Sequence, residues 1–317
     1  MEADSGCQGT LDRLRYGAGV SVSTGERAAG RASVTAGGVL AVQQEAARDP
    51  AAPTRPVVWW RELLLALVAY AVYAAGRSLH GQMLDADDVR IADAHGHQLL
   101  HLEQRWGVAW EHAVQVPFLA HHSFLKLMGG FYGGAHFVVT LGVLLWLLFT
   151  RPAHYRFWRT VLFTVTLAST AIFSLWPALP PRLMPVGERT VDTLDVIGGL
   201  WSYNHGVLEH ISDPYAPMPS LHLAWASWVM LTLWTVLPAL RRIVRVLLLA
   251  YPALVYFTVV VTGTHYFIDG VAGIAMLALS AGVVALYGRL RAEYGRLRAE
   301  RGGRALLRRS GEPQPVD

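Results

Sequence analysis

His222, His265 and Asp269 carry ionisable side chains at the ends of long apolar runs. Ionisable groups at membrane depth are costly and as a rule functional. His265 and Asp269 are four residues apart in Thr264-His265-Tyr266-Phe267-Ile268-Asp269. On a helix that spacing puts both side chains on one face, about one turn from each other. A carboxylate so placed keeps one imidazole nitrogen protonated and turns the other outward, which fixes the tautomer and strengthens a nucleophile. Taken alone, the pair reads equally well as a polar interhelical contact that packs a bundle. His222 follows Pro219 and Ser220 at the start of another apolar helix. Proline suits a first turn, where its missing N–H costs nothing, and the free N–H groups of that turn attract anions. A phosphate there would meet backbone donors, the Ser220 hydroxyl and His222 together; a capped helix with an interfacial histidine is the alternative. Arg182, in Trp176-Pro177-Ala178-Leu179-Pro180-Pro181-Arg182, leaves a stiff proline-rich segment that would aim its guanidinium at a fixed point. Arginine grips phosphate oxygens bidentately, or, interfacially, lipid headgroups. A His–Asp pair with a second His can form, break and protonate a phosphoester bond, so the chemistry indicated is phosphoryl transfer.

The elements that must position these groups are membrane helices. The chain of 317 residues is 53% hydrophobic and 16% charged, too apolar for an ordinary soluble domain. A bilayer core takes roughly 20 apolar residues per helix, and six stretches qualify, about 57–79, 128–149, 157–176, 219–237, 243–262 and 267–287. The expected fold is all-α, a six-transmembrane-helix bundle over 56–288. A disordered cytoplasmic tail over 1–55 precedes it and a basic cytoplasmic tail over 289–317 follows. The N-terminal segment is rich in Ala, Gly, Ser and Arg and lacks the apolar core of a signal peptide; an over-extended start is the other reading of it. Cys7 is the only cysteine, so neither an internal disulfide nor a cysteine-based metal site is expected.

Basic residues set the orientation. The net charge of +4 comes almost wholly from arginine, with Lys126 the sole lysine. The arginines sit in short segments beside apolar helices, which points to topology and away from nucleic acid. Arg151, Arg156 and Arg159, then Arg241, Arg242 and Arg245, then the Arg-rich C-terminus fall on one side with Arg55 and Arg61. The other connections, 80–127, 177–218 and the turn near 263–266, are acidic or mixed. The positive-inside rule then puts both termini in the cytoplasm and Arg182, His222, His265 and Asp269 on the outer face, with the plasma membrane as the expected location. Independent packing accidents need not gather two histidines, an aspartate and an arginine on one membrane face.

The segment 87–115 has the pattern of one or two amphipathic helices on the outer surface, with Ile91, Leu99, Leu102, Trp106 and Trp110 as apolar positions. The C-terminal repeat, Tyr287-Gly-Arg-Leu-Arg-Ala-Glu then Tyr294-Gly-Arg-Leu-Arg-Ala-Glu, suits a basic juxtamembrane helix on anionic lipid; two heptads are few for a coiled coil. His97 and His101, one helical turn apart near His95 and Glu103, could begin a metal site, but no third ligand stands at convincing spacing and a solvated face is expected. Gly129/Gly133 and Gly130/Gly134 match small-xxx-small packing, inside the bundle or on a dimer face. His136 is expected to be buried and hydrogen-bonded, or to line a substrate cavity.

Three stretches resemble the type 2 phosphatidic acid phosphatase superfamily. They are Asp213-Pro214-Tyr215-Ala216-Pro217-Met218-Pro219-Ser220-Leu221-His222-Leu223-Ala224-Trp225, Gly263-Thr264-His265-Tyr266-Phe267-Ile268-Asp269-Gly270 and Pro180-Pro181-Arg182-Leu183. Within that superfamily the chain is most similar to the inositolphosphotransferase branch, the inositol phosphorylceramide synthases and related sphingomyelin synthases. The run Leu102-Glu103-Gln104-Arg105-Trp106-Gly107, Glu111 and Gln115, and the Tyr132/His136 pair also resemble that branch, less specifically. The resemblance covers roughly 57–290. It implies the helical bundle of the phosphatidic acid phosphatase and vanadium haloperoxidase type. It also implies that His265 attacks phosphorus to form a phosphohistidine, that Asp269 orients it, and that His222 protonates the departing alcohol and deprotonates the incoming one. Arg182 and Ser220 would hold phosphate, with no metal or other cofactor.

The chain departs from the phosphatase pattern at Leu175 and Leu183, where a lysine and a proline are usual, and at Val259, where an arginine is usual. The missing cations favour the transferase branch. Tyr203, Asn204, His205 and His210 are the residues that could replace their contacts. The expected partners are membrane lipids, a lipid phosphate substrate and an alcohol acceptor. Two rivals stay open: a lipid phosphatase for phosphatidate or polyprenyl diphosphate, with water as acceptor, and a transporter or scaffold that keeps the bundle without chemistry.

Overall fold

The computed structural model describes residues 58–83, 86–185, 190–196, 215, 218–237 and 239–310. The expectations for the 1–55 tail and Cys7, and for Tyr203, Asn204, His205 and His210, lie outside those residues. Among the described residues every regular element is helical. In chain order the α-helices are α1 (Trp59–Met83), α2 (Ala86–Trp106), α3 (Glu111–Gln115), α4 (His122–Gly130), α5 (His136–Thr150), α6 (Pro152–Leu175), α7 (Thr193–Val196), α8 (Leu221–Val236), α9 (Arg242–Val261) and α10 (Phe267–Ser310). A π-helical turn, Phe131–Ala135, joins α4 and α5 into one rod, and Pro181–Leu183 is a 3-10 turn.

Four rods are long and apolar enough to cross a bilayer: His122–Thr150, Pro152–Leu175, Arg242–Val261 and Phe267–Arg301. The protein is thus built as an integral membrane protein. One of the six expected stretches is shorter than that. Helix α8 has only 16 residues, because Pro219 and Ser220 are spent on its entry and it ends at Val236. Helix α1 forms where a span was expected. It packs on α6, where Glu62 meets Arg159 and accepts from the Tyr155 hydroxyl at 3.3 Å. Helix α10 continues through both C-terminal heptads to Ser310. Its 44 residues extend about 66 Å, far beyond the roughly 30 Å of a hydrocarbon core.

The central core joins α5, α6, α8 and α10. Leu147, Trp158, Val161, Val165, Trp228, Val229, Leu277 and Ala281 are buried there, and the Trp228 indole N–H donates to the Trp158 carbonyl at 2.9 Å. Many other apolar side chains, such as Val138, Leu141, Phe149, Val246 and Val271, point outward; a bundle solvated by lipid can leave them so. The turn Arg151 between α5 and α6 and the Arg241–Arg242 entry to α9 lie at one end of the rods. The proline-rich exit of α6, the entry to α8 and the turn from α9 to α10 lie at the other. Amphipathic α2 covers that second end. Its Leu99 packs with Ala178, Tyr266 and Ile268, and Gly96 lies against Leu179, whose N–H donates to Ala92 O at 2.9 Å.

Two helix entries are pressed together at this end. A Cβ on Gly273 of α10 would lie 2.3 Å from the Ser220 carbonyl oxygen, so only glycine lets α10 pass so close to the entry of α8. Gly273→Ala must therefore shift backbone. It is expected to cost about 1–3 kcal/mol, a fall of several degrees in Tm. Gly282→Ala on the same helix, where nothing lies within 4 Å, should be neutral or slightly stabilising. Thermal unfolding of both variants in detergent checks this; equal stability would show that the contact is not tight.

Candidate active site

The site is built on the turn from α9 to α10. Gly263 has φ of 73°, a left-handed conformation, and its N–H donates to Val260 O at 2.9 Å. A side chain there would also strike Thr190, whose Oγ1 lies 2.4 Å from the Cβ position. Thr264 then ties the turn back, its N–H donating to Val259 O at 3.1 Å and its hydroxyl to the same oxygen at 3.0 Å. His265 and Asp269 follow, both buried. Asp269 Oδ2 accepts the Tyr266 N–H at 2.9 Å and faces His265 Nδ1 at 3.3 Å. With Nδ1 on the carboxylate, Nε2 is the nitrogen turned away from it.

His222 approaches from α8. Ser220 is the N-cap of that helix, its hydroxyl oxygen facing the Leu223 N–H at 3.5 Å, and Pro219 stands one residue outside it. The Ser220 N–H donates to Asp269 O at 2.9 Å, so the two helix entries share a backbone hydrogen bond. The His222 and His265 rings are 5.5 Å apart between centroids, edge to face. Behind His222, Tyr132 stacks at 4.4 Å and His136 lies at 4.3 Å. Both come from around the π-helical turn, where the extra residue breaks the regular α pattern; such turns are common at functional sites. The two expected glycine pairs sit at this turn. Gly129 lies against Leu194 inside the bundle, with 3.1 Å from a Cβ position, whereas Gly130 is open.

Arg182 reaches the same turn. Its N–H donates to Gly263 O at 2.9 Å and its Nη1 to Asp192 Oδ2 at 2.6 Å. The sequence singled out the arginine but gave Asp192 no part. This carboxylate orients the buried guanidinium and offsets some of its charge. Gln115 holds the segment that carries Asp192. Its amide donates to Val191 O at 2.8 Å and Val261 O at 3.0 Å and accepts from Val191 N–H at 2.6 Å. His222, His265, Asp269, Arg182 and Ser220 thus all meet around one turn.

Helices α2 and α3 hold that turn from outside. Glu111 Oε1 accepts the Phe267 N–H at 2.9 Å and Glu103 Oε1 accepts the Ile268 N–H at 2.8 Å. Carboxylates at the N-terminus of a helix satisfy its free donors and suit its dipole. The Tyr266 hydroxyl donates to Leu179 O at 3.0 Å. Burial pushes the Glu103 carboxyl up to about 9, with Glu111 adding to the shift. Burial and then the Asp269 charge push the Tyr266 phenol up as well. Nothing in the sequence ties Glu103 or Glu111 to a helix more than 150 residues away.

At the positions where the chain departs from the phosphatase pattern, Leu175 is exposed and Val259 buried in the α9 core. Arg182 is therefore the cation that this end of the bundle offers from those motifs. His95 Nδ1 donates to Pro177 O at 2.7 Å and its ring stacks on Trp176, while His97 contacts Asp93. Among the described residues no group of three His, Cys, Asp or Glu side chains could hold a metal ion. Chemically the arrangement offers a nucleophilic nitrogen fixed by a carboxylate, a second imidazole beside it to exchange a proton, and a guanidinium to hold an anion.

No curated protein and no solved structure matches the chain. The model of the PAP2 superfamily matches residues 97–283, from the middle of α2 to well inside α10 and more than half of the chain. The chain belongs to the PAP2 superfamily and is an enzyme of its phosphatase and phosphotransferase kind.

Proposed function

We propose that this protein is a six-span membrane phosphotransferase of the inositolphosphotransferase type, acting on lipid-linked phosphate through a phosphohistidine on His265. The observation that carries the reading is the contact of three side chains, His265 Nδ1 at 3.3 Å from Asp269 and the His222 ring 5.5 Å from that of His265. In the first step Nε2 of His265 attacks phosphorus and the bond from phosphorus to the lipid oxygen breaks. Protonated His222 gives its proton to the departing alkoxide. In the second step neutral His222 takes the proton of an incoming alcohol, whose oxygen attacks phosphorus as the P–N bond breaks. Arg182 and the Ser220 hydroxyl hold the phosphate oxygens while charge develops.

Membrane position supports an outer-face site. The arginine-rich turns at 151–159 and 241–245 lie at the end of the rods opposite His222 and His265, and positive ends stay in the cytoplasm. That arrangement suits the plasma membrane, with both termini inside. The shortage of cations at Leu175 and Val259 favours transfer between alcohols over release of phosphate.

Brief incubation with lipid carrying radiolabelled phosphate, followed by denaturation in alkali, is expected to leave label on the protein. The label should be stable to base and released by acid, as for a P–N bond. His265→Ala should carry no label and lose on the order of a thousandfold or more in kcat. Unchanged turnover by that variant would leave the transporter or scaffold reading. His222→Ala should lose about a hundredfold to ten-thousandfold, because both proton transfers run through it. Adding candidate alcohols, inositol and glycolipids among them, should divert the phosphoryl group on His265 from free phosphate to transferred product. Free phosphate as the only product with every alcohol would make the enzyme a lipid phosphatase. Arg182→Lys, which keeps the charge but not the fork, should lower kcat/KM about tenfold to a hundredfold.

A further inference from the structure

The carboxyl groups of Glu103 and Glu111 meet beneath the nucleophile. Glu103 is fully buried and Glu111 nearly so. One oxygen of each is engaged by the first N–H groups of α10, Phe267 and Ile268. The second oxygen of Glu103 is buried and receives no N–H or O–H among the described residues, and the two carboxyl groups lie side by side because they accept from consecutive N–H groups. Among the described residues the charged groups acting on Glu103 are Glu111 from α3 and Asp269 from α10, both acidic. The other titratable groups facing it are the phenols of Tyr256 on α9 and Tyr266 in the turn. Two ionised carboxylates side by side and away from water repel strongly, and neither can donate to the other. One proton between them removes the repulsion and supplies the missing donor.

We propose that Glu103 is protonated in the working enzyme, and that the Glu103–Glu111 acid pair is a positioning device that clamps the first turn of α10 and so holds His265 and Asp269 in line for attack. Neither glutamate touches substrate; both act through the backbone of Phe267 and Ile268. The inference deepens the reading of His265 as nucleophile and rests on it for its effect on turnover. The proton itself does not depend on that reading.

The sign of the pH dependence follows from the raised pKa. In an unfolded chain Glu103 would ionise near its ordinary value of 4.5, whereas here it keeps its proton up to about 9. The group's contribution to stability is complete below 4.5 and is lost as pH rises through about 9. The clamp should therefore loosen on the alkaline side, and kcat should show an alkaline limb there.

Glu103→Gln tests this, since an amide accepts from Ile268 N–H and donates to Glu111 without titrating. In the unmodified protein, infrared difference spectra taken across the alkaline range should show loss of the carbonyl stretch of a protonated carboxylic acid. Glu103→Gln should lack that band, keep turnover of phosphatidate in mixed micelles close to the original at neutral pH, and lose the alkaline limb of kcat. Glu103→Leu, which frees the Ile268 N–H, should lose about a hundredfold in kcat with KM little changed. If Glu103→Leu does not fold, the spectra and the Glu103→Gln profile still decide. A native spectrum with no band removed by Glu103→Gln, or an alkaline limb that survives in it, overturns the proposal. A band that behaves as expected beside a fully active His265→Ala protein would keep the acid pair and overturn the nucleophile.

Discussion

The structure at the site depends on how the first turn of α10 is satisfied. A helix start carries several N–H groups without intrahelical partners, and here that start is packed under α2 and against α8, out of reach of bulk water. Each donor left unpaired in such a place costs about 1–3 kcal/mol. The protein answers with carboxylates from three origins. Asp269 takes the Tyr266 N–H, Glu111 the Phe267 N–H and Glu103 the Ile268 N–H. The side chain that fixes the His265 ring is thus also a local cap, and its position cannot drift without losing a backbone bond. Ser220 adds a link from the other helix by donating to Asp269 O. Because the two imidazoles stand on two helix entries joined in this way, their separation is set by backbone contacts.

The same logic extends outward through short polar links in an otherwise apolar molecule. Gln115 makes three hydrogen bonds to Val191 and Val261, and Asp192, beside Val191, holds Arg182. Arg182 in turn donates through its backbone to Gly263 at the head of the turn. The chain of contacts closes a ring from α3 through the 190–192 segment and the α6 exit back to the α9–α10 turn. Apolar packing alone could tolerate sliding of one rod on another, but fixed hydrogen-bond partners do not. A reaction that needs a nucleophile, a proton carrier and a cation in fixed relation gains from that rigidity.

Much of this was legible in the sequence, for a definite reason. His265 and Asp269 declare themselves by an i, i+4 spacing, and His222 by a serine and proline before an apolar run; these are local signals, and the structure brings the three side chains together. The count of spans was less legible. Helix α8 is shorter than its apolar run because the entry residues are used as a cap. Glu103 and Glu111 stood out only by resemblance, and what they hold, like the part of Asp192, was not legible. Each acts on a partner whose identity is decided by tertiary packing, in the case of the glutamates more than 150 residues along the chain. A glutamate on an amphipathic helix reads as a solvated face until the fold shows what lies against it. The π-helical turn that sets Tyr132 and His136 against His222 was hidden likewise, since its glycines read as ordinary helix-packing pairs.

Charge balance ties these findings to the proposed chemistry. Glu103, Glu111 and Asp269 would put three negative charges beneath the proposed phosphate site, where the described residues set the Arg182 guanidinium, already paired to Asp192, against them. A fully ionised set would repel the substrate as well as itself. The proposed protonation of Glu103 would remove one charge where it is least useful and leave the Asp269 carboxyl to face Nδ1 of His265. In the proposed phosphohistidine the His265 ring would be formally cationic, with that positive charge directly against Asp269. The carboxylate is therefore placed to stabilise the bonded state more than the free imidazole, which is the sense in which a fixed charge can assist catalysis. The acidic cluster is compatible with an anionic substrate only because its protons and hydrogen bonds are distributed unevenly, and burial of α2 against the turn is what enforces that unevenness.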